Sequence, residues 1–475
     1  MDHQFCTGVD RLSVTENTIG TNVSLIISDK RRIIIGLGQT GQSIARFFAS
    51  RGLPFAACDT RESGAAIDAF RNQFPEVELQ TGSLDSEWLS QADEMVISPG
   101  VAKDQPAIQT AIAAGAKLIG DIDLFAREVT APIIAITGSN GKSTVTTLVW
   151  RMAVDAGCRA EIGGNIGIPV LDLLAKPAAD LYVLELSSFQ LETTHDLKAS
   201  AATVLNMSVD HMDRYDGMQD YHASKHRVYR HCQQAIFNRE DALSRPLVPN
   251  STKQTSFGLG APDLNQYGRL MIDGKPWLAK GAEALMPVAD MKMRGEHNEL
   301  NALAALALCE SQGLELASLL KTLAQFPGLE HRCQWITEQE GVSWFNDSKG
   351  TNLGATLAAI VGLGETQERS HSLILIAGGQ AKGQDFSGLK QPSQRYLKSL
   401  ILIGEDRQQM ANEIGFETTY FADSLVDAVR MAEIQAESGD AVLLSPACAS
   451  FDMFSGFEDR GQQFVAAVKE VLSCD

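Results

Sequence analysis

The sequence predicts an α/β protein of three layered domains. Short apolar runs that end in glycine or small polar residues recur along it, at 32–41, 133–144 and 372–383, with helical stretches between them. Such alternation marks parallel sheets, whose ligands sit beyond the carboxyl ends of the strands. At 475 residues the chain exceeds one ordinary core, and about 100–200 residues per domain makes three the working number.

Residues 1–25 are polar and without periodicity, and are expected to form a loose extension. The first domain, 26–120, opens with an apolar run into Gly36-Leu37-Gly38-Gln39-Thr40-Gly41 and a helix through Phe48. A second strand over 55–58 leads to Asp59-Thr60-Arg61, and a third over 94–97 leads to Ser98-Pro99-Gly100-Val101. A strand, a Gly-x-Gly-x-x-Gly turn, a helix and a later acid form a dinucleotide fingerprint and a Rossmann-like domain. The fingerprint specifies only that a pyrophosphate meets a helix N-terminus, so NAD and a UDP-sugar both fit it. A purely structural glycine turn is the plainer alternative.

The central domain, 121–328, begins at Asp121-Ile122-Asp123-Leu124-Phe125 and continues into Ile136-Thr137-Gly138-Ser139-Asn140-Gly141-Lys142-Ser143-Thr144. This is a P-loop ATPase-like arrangement on a parallel or mixed sheet. Glycines turn backbone N–H groups onto phosphate oxygens, Lys142 brings a point charge, and the Ser143 hydroxyl can ligate Mg²⁺. The loop is short, Gly-x-x-Gly-Lys-Ser-Thr, with Ile136 where common P-loops have their first glycine, which points away from GTPases and transport ATPases. A strand over 179–185 ends on Glu185, placed as a metal-holding carboxylate would be, although a strand-end acid is often only solvated. Asp210-His211-Met212-Asp213-Arg214-Tyr215 surrounds a histidine with acids, and Lys225 follows on a helical stretch where lysine is normally surface charge. Residues 298–308 form a helix that places Asn298 and Asn301 on one face.

The third domain, 329–475, is again Rossmann-like, with strands expected over 372–377, 400–403 and 441–444 but no phosphate loop. The net charge of −19 argues against a sequence-independent grip on nucleic acid. No apolar run approaches the roughly 18 residues of a membrane span and the N-terminus lacks a signal-peptide pattern, so a cytoplasmic enzyme without membrane insertion is expected. The eight cysteines contain no C-x-x-C pair and read as reduced thiols.

Several motifs stand in one order: the phosphate loop, Gly163-Gly164-Asn165-Ile166-Gly167, Glu185-Leu186-Ser187-Ser188-Phe189-Gln190-Leu191, Asp210 to Tyr215, Asn346-Asp347-Ser348-Lys349, and Ser445-Pro446-Ala447-Cys448-Ala449-Ser450. Together they closely resemble the Mur ligases of bacterial peptidoglycan synthesis, over roughly residues 30–475. The resemblance implies a monomeric, ATP-dependent amide ligase acting on UDP-N-acetylmuramoyl-L-alanine and D-glutamate through an acyl phosphate. It implies ATP contacts from Gly138, Ser139, Asn140, Gly141, Lys142, Ser143, Thr144, Asn298, Asn301, Arg332 and Asp347. One Mg²⁺ would be held by Ser143 and Glu185 and a second by His211, bridged by Lys225 as a carbamate, with Asn165 near the acyl end. The UDP site corresponds to Gly36, Leu37, Gly38, Thr40, Gly41, Asp59, Thr60, Arg61, Ser98, Pro99 and Gly100. The D-glutamate pocket corresponds to Lys349, Thr351, Lys382, Ser450 and Phe457. Gln380 departs from the pattern, standing where the family usually shows an acid. Parts distributed over three domains require the third to swing in, with Phe326-Pro327-Gly328 as the hinge.

Overall fold

The computed structural model describes residues 30–212, 214–364 and 369–473. The extension expected over 1–25 lies outside the described residues. Three separate sheets form. In the first, the strands run in the order Leu79–Thr81, Ala56–Asp59, Arg32–Ile35, Glu94–Ile97, Lys117–Ile119, all parallel. Ile33, Ile34 and Ile35 are buried on both faces, which is why the run shows no polar alternation. The chain leaves Arg32–Ile35 in one direction and returns on its other side. The turns after Arg32–Ile35 and Glu94–Ile97 therefore open onto a topological switch point. Helix Gln39–Ser50 can start this close to the sheet only because of Gly41, where a Cβ would lie 1.8 Å from the Gly36 carbonyl oxygen. The second strand begins one residue later than the sequence suggests, because Phe55 instead packs its ring against Phe48 and Phe74.

The central sheet has nine strands, with Ile133–Thr137 between Ala201–Val204 and Leu181–Glu185. From Ala160–Gly164 to Tyr267–Ile272 neighbouring strands are parallel, whereas Tyr267–Ile272, Lys275–Lys280 and Glu283–Pro287 pair antiparallel. Helix Glu296–Ser311 is longer than expected, and every residue from Ala302 to Cys309 is buried. A helix apolar on all sides belongs inside, and here it packs against Lys142–Asp155. The first domain docks on the central one through an Arg46–Asp172 pair at 2.6 Å and an Arg51–Glu128 pair at 2.9 Å.

The third sheet runs Gln334–Gln339, Val342–Asn346, Ala441–Leu444, Leu373–Gly378, Leu397–Ile403, Thr419–Phe421, and only its first pair is antiparallel. The loops after Val342–Asn346, Leu373–Gly378 and Ala441–Leu444 leave from adjacent strands at one edge. That edge carries Asp347, Lys349, Lys382 and Ser450. No helix among the described residues is long and apolar enough to cross a membrane.

Candidate functional site

In the first domain, Gly36 has a φ of 87°, and a Cβ there would lie 2.7 Å from Val101 Cγ2 and 3.1 Å from Ser98 Cβ. The Gly36–Gly41 turn and the Ser98–Gly100 turn thus form two walls of one cradle. Asp59 is buried, and its Oδ2 accepts the Leu37 N–H at 2.7 Å and Arg61 Nη2 at 2.7 Å, while Oδ1 accepts Arg61 N and Nε. Arg61 and these backbone bonds hold the Asp59 carboxyl below its usual range against the opposing effect of burial. Both oxygens are engaged by the protein, so Asp59 braces the glycine turn and aims Arg61. Thr60 lines a neighbouring open cleft with Gly82 and Ser83.

The phosphate loop is built the same way. Gly138 and Gly141 take φ values of 149° and 80°, and a Cβ on Gly141 would lie 2.5 Å from Asn301 Oδ1. Asn206 braces the loop by accepting from Asn140 N at 2.8 Å and donating to Asn140 O at 3.1 Å. Ser139 is held by Ser208 and Tyr221, and Thr144 is buried in the first helical turn. Lys142 Nζ donates to the carbonyls of Gly138 at 3.0 Å and Ser139 at 2.8 Å. Lys225, expected on the surface if merely structural, is 2% exposed, and its Nζ donates to the same Gly138 carbonyl at 2.8 Å. Burial, then the nearby Lys142 charge, pushes the Lys225 ammonium well below its ordinary value, while Asp210 and Glu185 oppose the shift. Burial likewise lowers Lys142.

Glu185 ends its strand facing these cations. Its Oε1 accepts from Asn165 Nδ2 at 2.8 Å, whereas Oε2 is buried without a hydrogen-bond partner. A buried carboxylate oxygen left unpaired is costly unless a cation completes it. Gly164 lets the Asn165 loop approach, since a Cβ there would lie 2.2 Å from the Glu185 carbonyl oxygen. From the third domain, Arg332 Nη2 donates to Ser143 Oγ at 2.8 Å. Arg332 thereby brings the third domain directly onto the phosphate loop. His211 takes a φ of 58°, is 3.7 Å from Asp210 and packs its ring 4.8 Å from Phe189. Among the described residues, no group of three or more His, Cys, Asp and Glu side chains is arranged to hold a metal unaided.

A cleft between the central and third domains is lined by Asn140, Asn298, Asn301, Arg332, Asp347 and Lys349. Asn301 Nδ2 donates to Asn298 Oδ1 at 3.2 Å, which fixes the pair. Asp347 accepts from Cys333 N at 3.1 Å and Ser445 Oγ at 2.7 Å, yet burial outweighs these bonds and pushes its carboxyl up to about 7. Between an ordinary 3.8 and about 7, folded protein therefore holds a proton that the unfolded chain has lost. The resulting stability is complete below the ordinary value and disappears as pH rises through about 7. Urea unfolding of Asp347→Asn and wild type from pH 4 to 8 should show a wild-type stability that falls, relative to the variant, by up to about 1.4 kcal/mol per pH unit. Parallel curves across that range would mean that Asp347 stays ionised.

On the third domain, Lys349 Nζ sits 3.5 Å above the Phe457 ring, and burial brings its pKa down to about 8. Thr351 N donates to the Lys349 carbonyl at 2.8 Å, so the two belong to one tight turn. Ser450 is buried, and Lys382, exposed with a φ of 52°, lies 5.5 Å from the Phe451 ring. Gln380 makes a backbone bridge with Ala449 that ties the Lys382 and Ser450 loops together. Two residues escaped the sequence reading. Arg460 is fully buried and donates to Ser348 Oγ and O and to Cys448 O, joining two pocket loops. Tyr221 packs under Lys225, 4.8 Å from its Nζ to the ring centre. Neither lies in a glycine loop or at a strand end, and no local pattern marks it.

Residues 30–120 match the family described as Mur ligase MurD-like, N-terminal domain, 136–309 the Mur ligase middle domain, and 331–448 the Mur ligase, glutamate ligase domain. The UDP-N-acetylmuramoylalanine--D-glutamate ligase of Pseudomonas aeruginosa is 52% identical over 450 residues, covering 94% of this chain and 100% of that protein. The protein of the same name from Acinetobacter baylyi is 52% identical, with coverages of 93% and 98%. The crystal structure of MurF from Acinetobacter baumannii shares the fold at a TM-score of 0.59 and 15% identity, covering 93% of each chain. Family matches in chain order on all three sheets, together with this identity over nearly the whole length, establish that the chain belongs to the Mur ligase family.

Proposed function

We infer that the chain is an ATP-dependent amide ligase that adds D-glutamate to UDP-N-acetylmuramoyl-L-alanine in peptidoglycan precursor synthesis. The observation that carries this reading is the unpartnered, buried Glu185 Oε2 at the phosphate loop, facing Lys142, Lys225 and an arginine delivered by another domain. Such a site suits polyphosphate and a hard cation. Asp59, with both oxygens bound to Leu37 and Arg61, favours a diphosphate-sugar in the first cradle over an NAD ribose.

A carboxylate is a poor acyl donor. One oxygen of the L-alanyl carboxylate attacks the γ-phosphorus of ATP and ADP departs, leaving an acyl phosphate. The D-glutamate amine then attacks the acyl carbon, inorganic phosphate leaves, and the nitrogen loses a proton. Backbone N–H groups from Gly141 to Thr144 cradle the phosphates, while Lys142 and Arg332 neutralise charge that would otherwise keep two anions apart. Asn298 and Asn301 flank the base, and Asp347 orients Arg332's side of the cleft. The donor set fits Mg²⁺: Ser143 and Glu185 would hold one ion, and His211 with a carbamylated Lys225 a second. When bound, Mg²⁺ neutralises phosphate charge and polarises the transferring group. A neutral Lys225 amine can attack CO₂ and release a proton, and the carbamate anion that forms would suit a cation where an ammonium would repel it. Asn165 steers the acyl end. Lys349, Thr351, Lys382, Ser450 and Phe457 form the amino-acid pocket, and closure at Phe326-Pro327-Gly328 keeps water from the acyl phosphate. A monomer in the cytoplasm, without nucleic-acid partners, completes the reading.

Phosphate release from ATP is expected only when UDP-N-acetylmuramoyl-L-alanine and D-glutamate are both present, and calorimetry should show UDP-substrate binding that NAD does not displace. Phosphate release without either substrate, or tight NAD binding with no response to the UDP-substrate, overturns the reading.

A further inference from the structure

Arg214 follows His211 in the chain and reaches across to the first domain. Its Nη2 donates to the Val101 carbonyl at 3.1 Å and lies 3.8 Å from Glu192 Oε2, while the guanidinium carbon sits 4.8 Å from the centre of the Phe189 ring. Val101 closes the Ser98 turn through a 3.0 Å bond from its N–H to the Ser98 carbonyl. Its side chain also packs beneath Gly36, where even a Cβ would come within 2.7 Å. One guanidinium therefore grips the residue at which both walls of the first-domain cradle meet.

The other end of the contact is the turn around His211. The Arg214 N–H donates to the His211 carbonyl at 2.9 Å, and that turn holds His211 in the left-handed region. Phe189, on which the guanidinium stacks, touches the His211 ring at 4.8 Å and lies nearly parallel to Tyr215 at 6.0 Å. Tyr215 packs 5.3 Å from Tyr221, the ring beneath Lys225. General adhesion between the domains has other means, the Arg46–Asp172 and Arg51–Glu128 pairs, neither of which involves these turns.

We propose that Arg214 is a positioning residue that couples occupancy of the first-domain cradle by a nucleoside diphosphate-sugar to the arrangement of the His211 and Lys225 side of the phosphate site. The proposal rests on the function inferred above. A diphosphate seated between the Gly36 and Ser98 turns bears on Val101, and Arg214 transmits that restraint to the turn it closes. A planar fork that donates in its own plane while its face stacks suits this task, and a lysine ammonium has no such plane. Linkage makes the coupling reciprocal, so binding at either site reports it.

The test is calorimetric titration of UDP-N-acetylmuramoyl-L-alanine into wild type, Arg214→Met and Arg214→Lys, each with and without saturating Mg²⁺ and a non-hydrolysable ATP analogue. Wild type is expected to bind the UDP-substrate about tenfold tighter with the Mg²⁺-nucleotide present. Arg214→Met, which keeps the packing on Phe189, should bind within about threefold of wild type without nucleotide and lose the enhancement to within about twofold of none. Arg214→Lys should retain less than half of it on a logarithmic scale, and decides the matter where the methionine variant does not fold. A variant with the wild-type enhancement, or a wild type that binds the UDP-substrate without enhancement, overturns the role of Arg214 alone. No binding of the UDP-substrate to wild type overturns the functional reading itself.

Discussion

Lys225→Ala is expected to fold and to lose about three orders of magnitude in turnover, and added acetate should restore part of it. That loss corresponds to about 4 kcal/mol of transition-state stabilisation. It follows from where Lys225 lies: 2% exposed, sharing the Gly138 carbonyl with Lys142 and lying over the Tyr221 ring. Two ammonium groups on one carbonyl repel each other, and burial drives Lys225 further toward the neutral amine that reacts with CO₂. The resulting carbamate supplies two oxygens that alanine removes and a small carboxylate can imitate. A lysine with only a surface role would change stability by a few tenths of a kcal/mol and turnover hardly at all. Steady-state rates at saturating Mg²⁺, with a melting curve to establish folding, decide between the two. Near-normal turnover without acetate removes the carbamate.

Much of this was legible because the backbone dictates it. Gly36, Gly41, Gly138 and Gly141 stand where a side chain would collide with backbone, Val101 or Asn301, so the glycine spacing carries the geometry of both cradles. Glu185 ends a fully buried strand and Asp347 follows one that alternates buried and part-buried residues, and the parallel-sheet rule puts such residues at the ligand edge. Lys225 was a different case. Its helix, Met218–His226, is mostly polar and reads as solvated, and only the packing of Thr137 and Gly138 from a distant segment, over Tyr221 one turn back, makes Lys225 a buried group. Arg460 is hidden for the same reason, since its partners Ser348 and Cys448 come from other strand ends. Asp59 looked like a ribose acceptor until Arg61, two residues on, was seen to occupy both of its oxygens. The antiparallel pair Tyr267–Ile272 and Lys275–Lys280 had a local signal in Asp273-Gly274, a turn pair suited to φ values of 50° and 73°.

Glu185→Gln is expected to lower turnover by about a hundredfold to a thousandfold and to raise the Mg²⁺ concentration needed for half-maximal rate. Glutamine keeps a contact with Asn165 but removes the charge behind the unpartnered oxygen. That charge also supports the protonated forms of Lys142, Lys225 and Arg332, so its loss drives the Lys225 amine still further toward neutrality. Carbamate formation is therefore preserved in this variant while the other cation site is impaired. Acetate, which substitutes for oxygens missing at position 225, has nothing to replace at position 185. Mg²⁺ titrations of both variants with and without acetate separate the roles: acetate should raise the rate of Lys225→Ala and leave Glu185→Gln unchanged, while excess Mg²⁺ should favour only the latter. An unaltered Mg²⁺ requirement in Glu185→Gln removes Glu185 from the metal site, and equal rescue of the two variants by acetate collapses the two proposed ions into one.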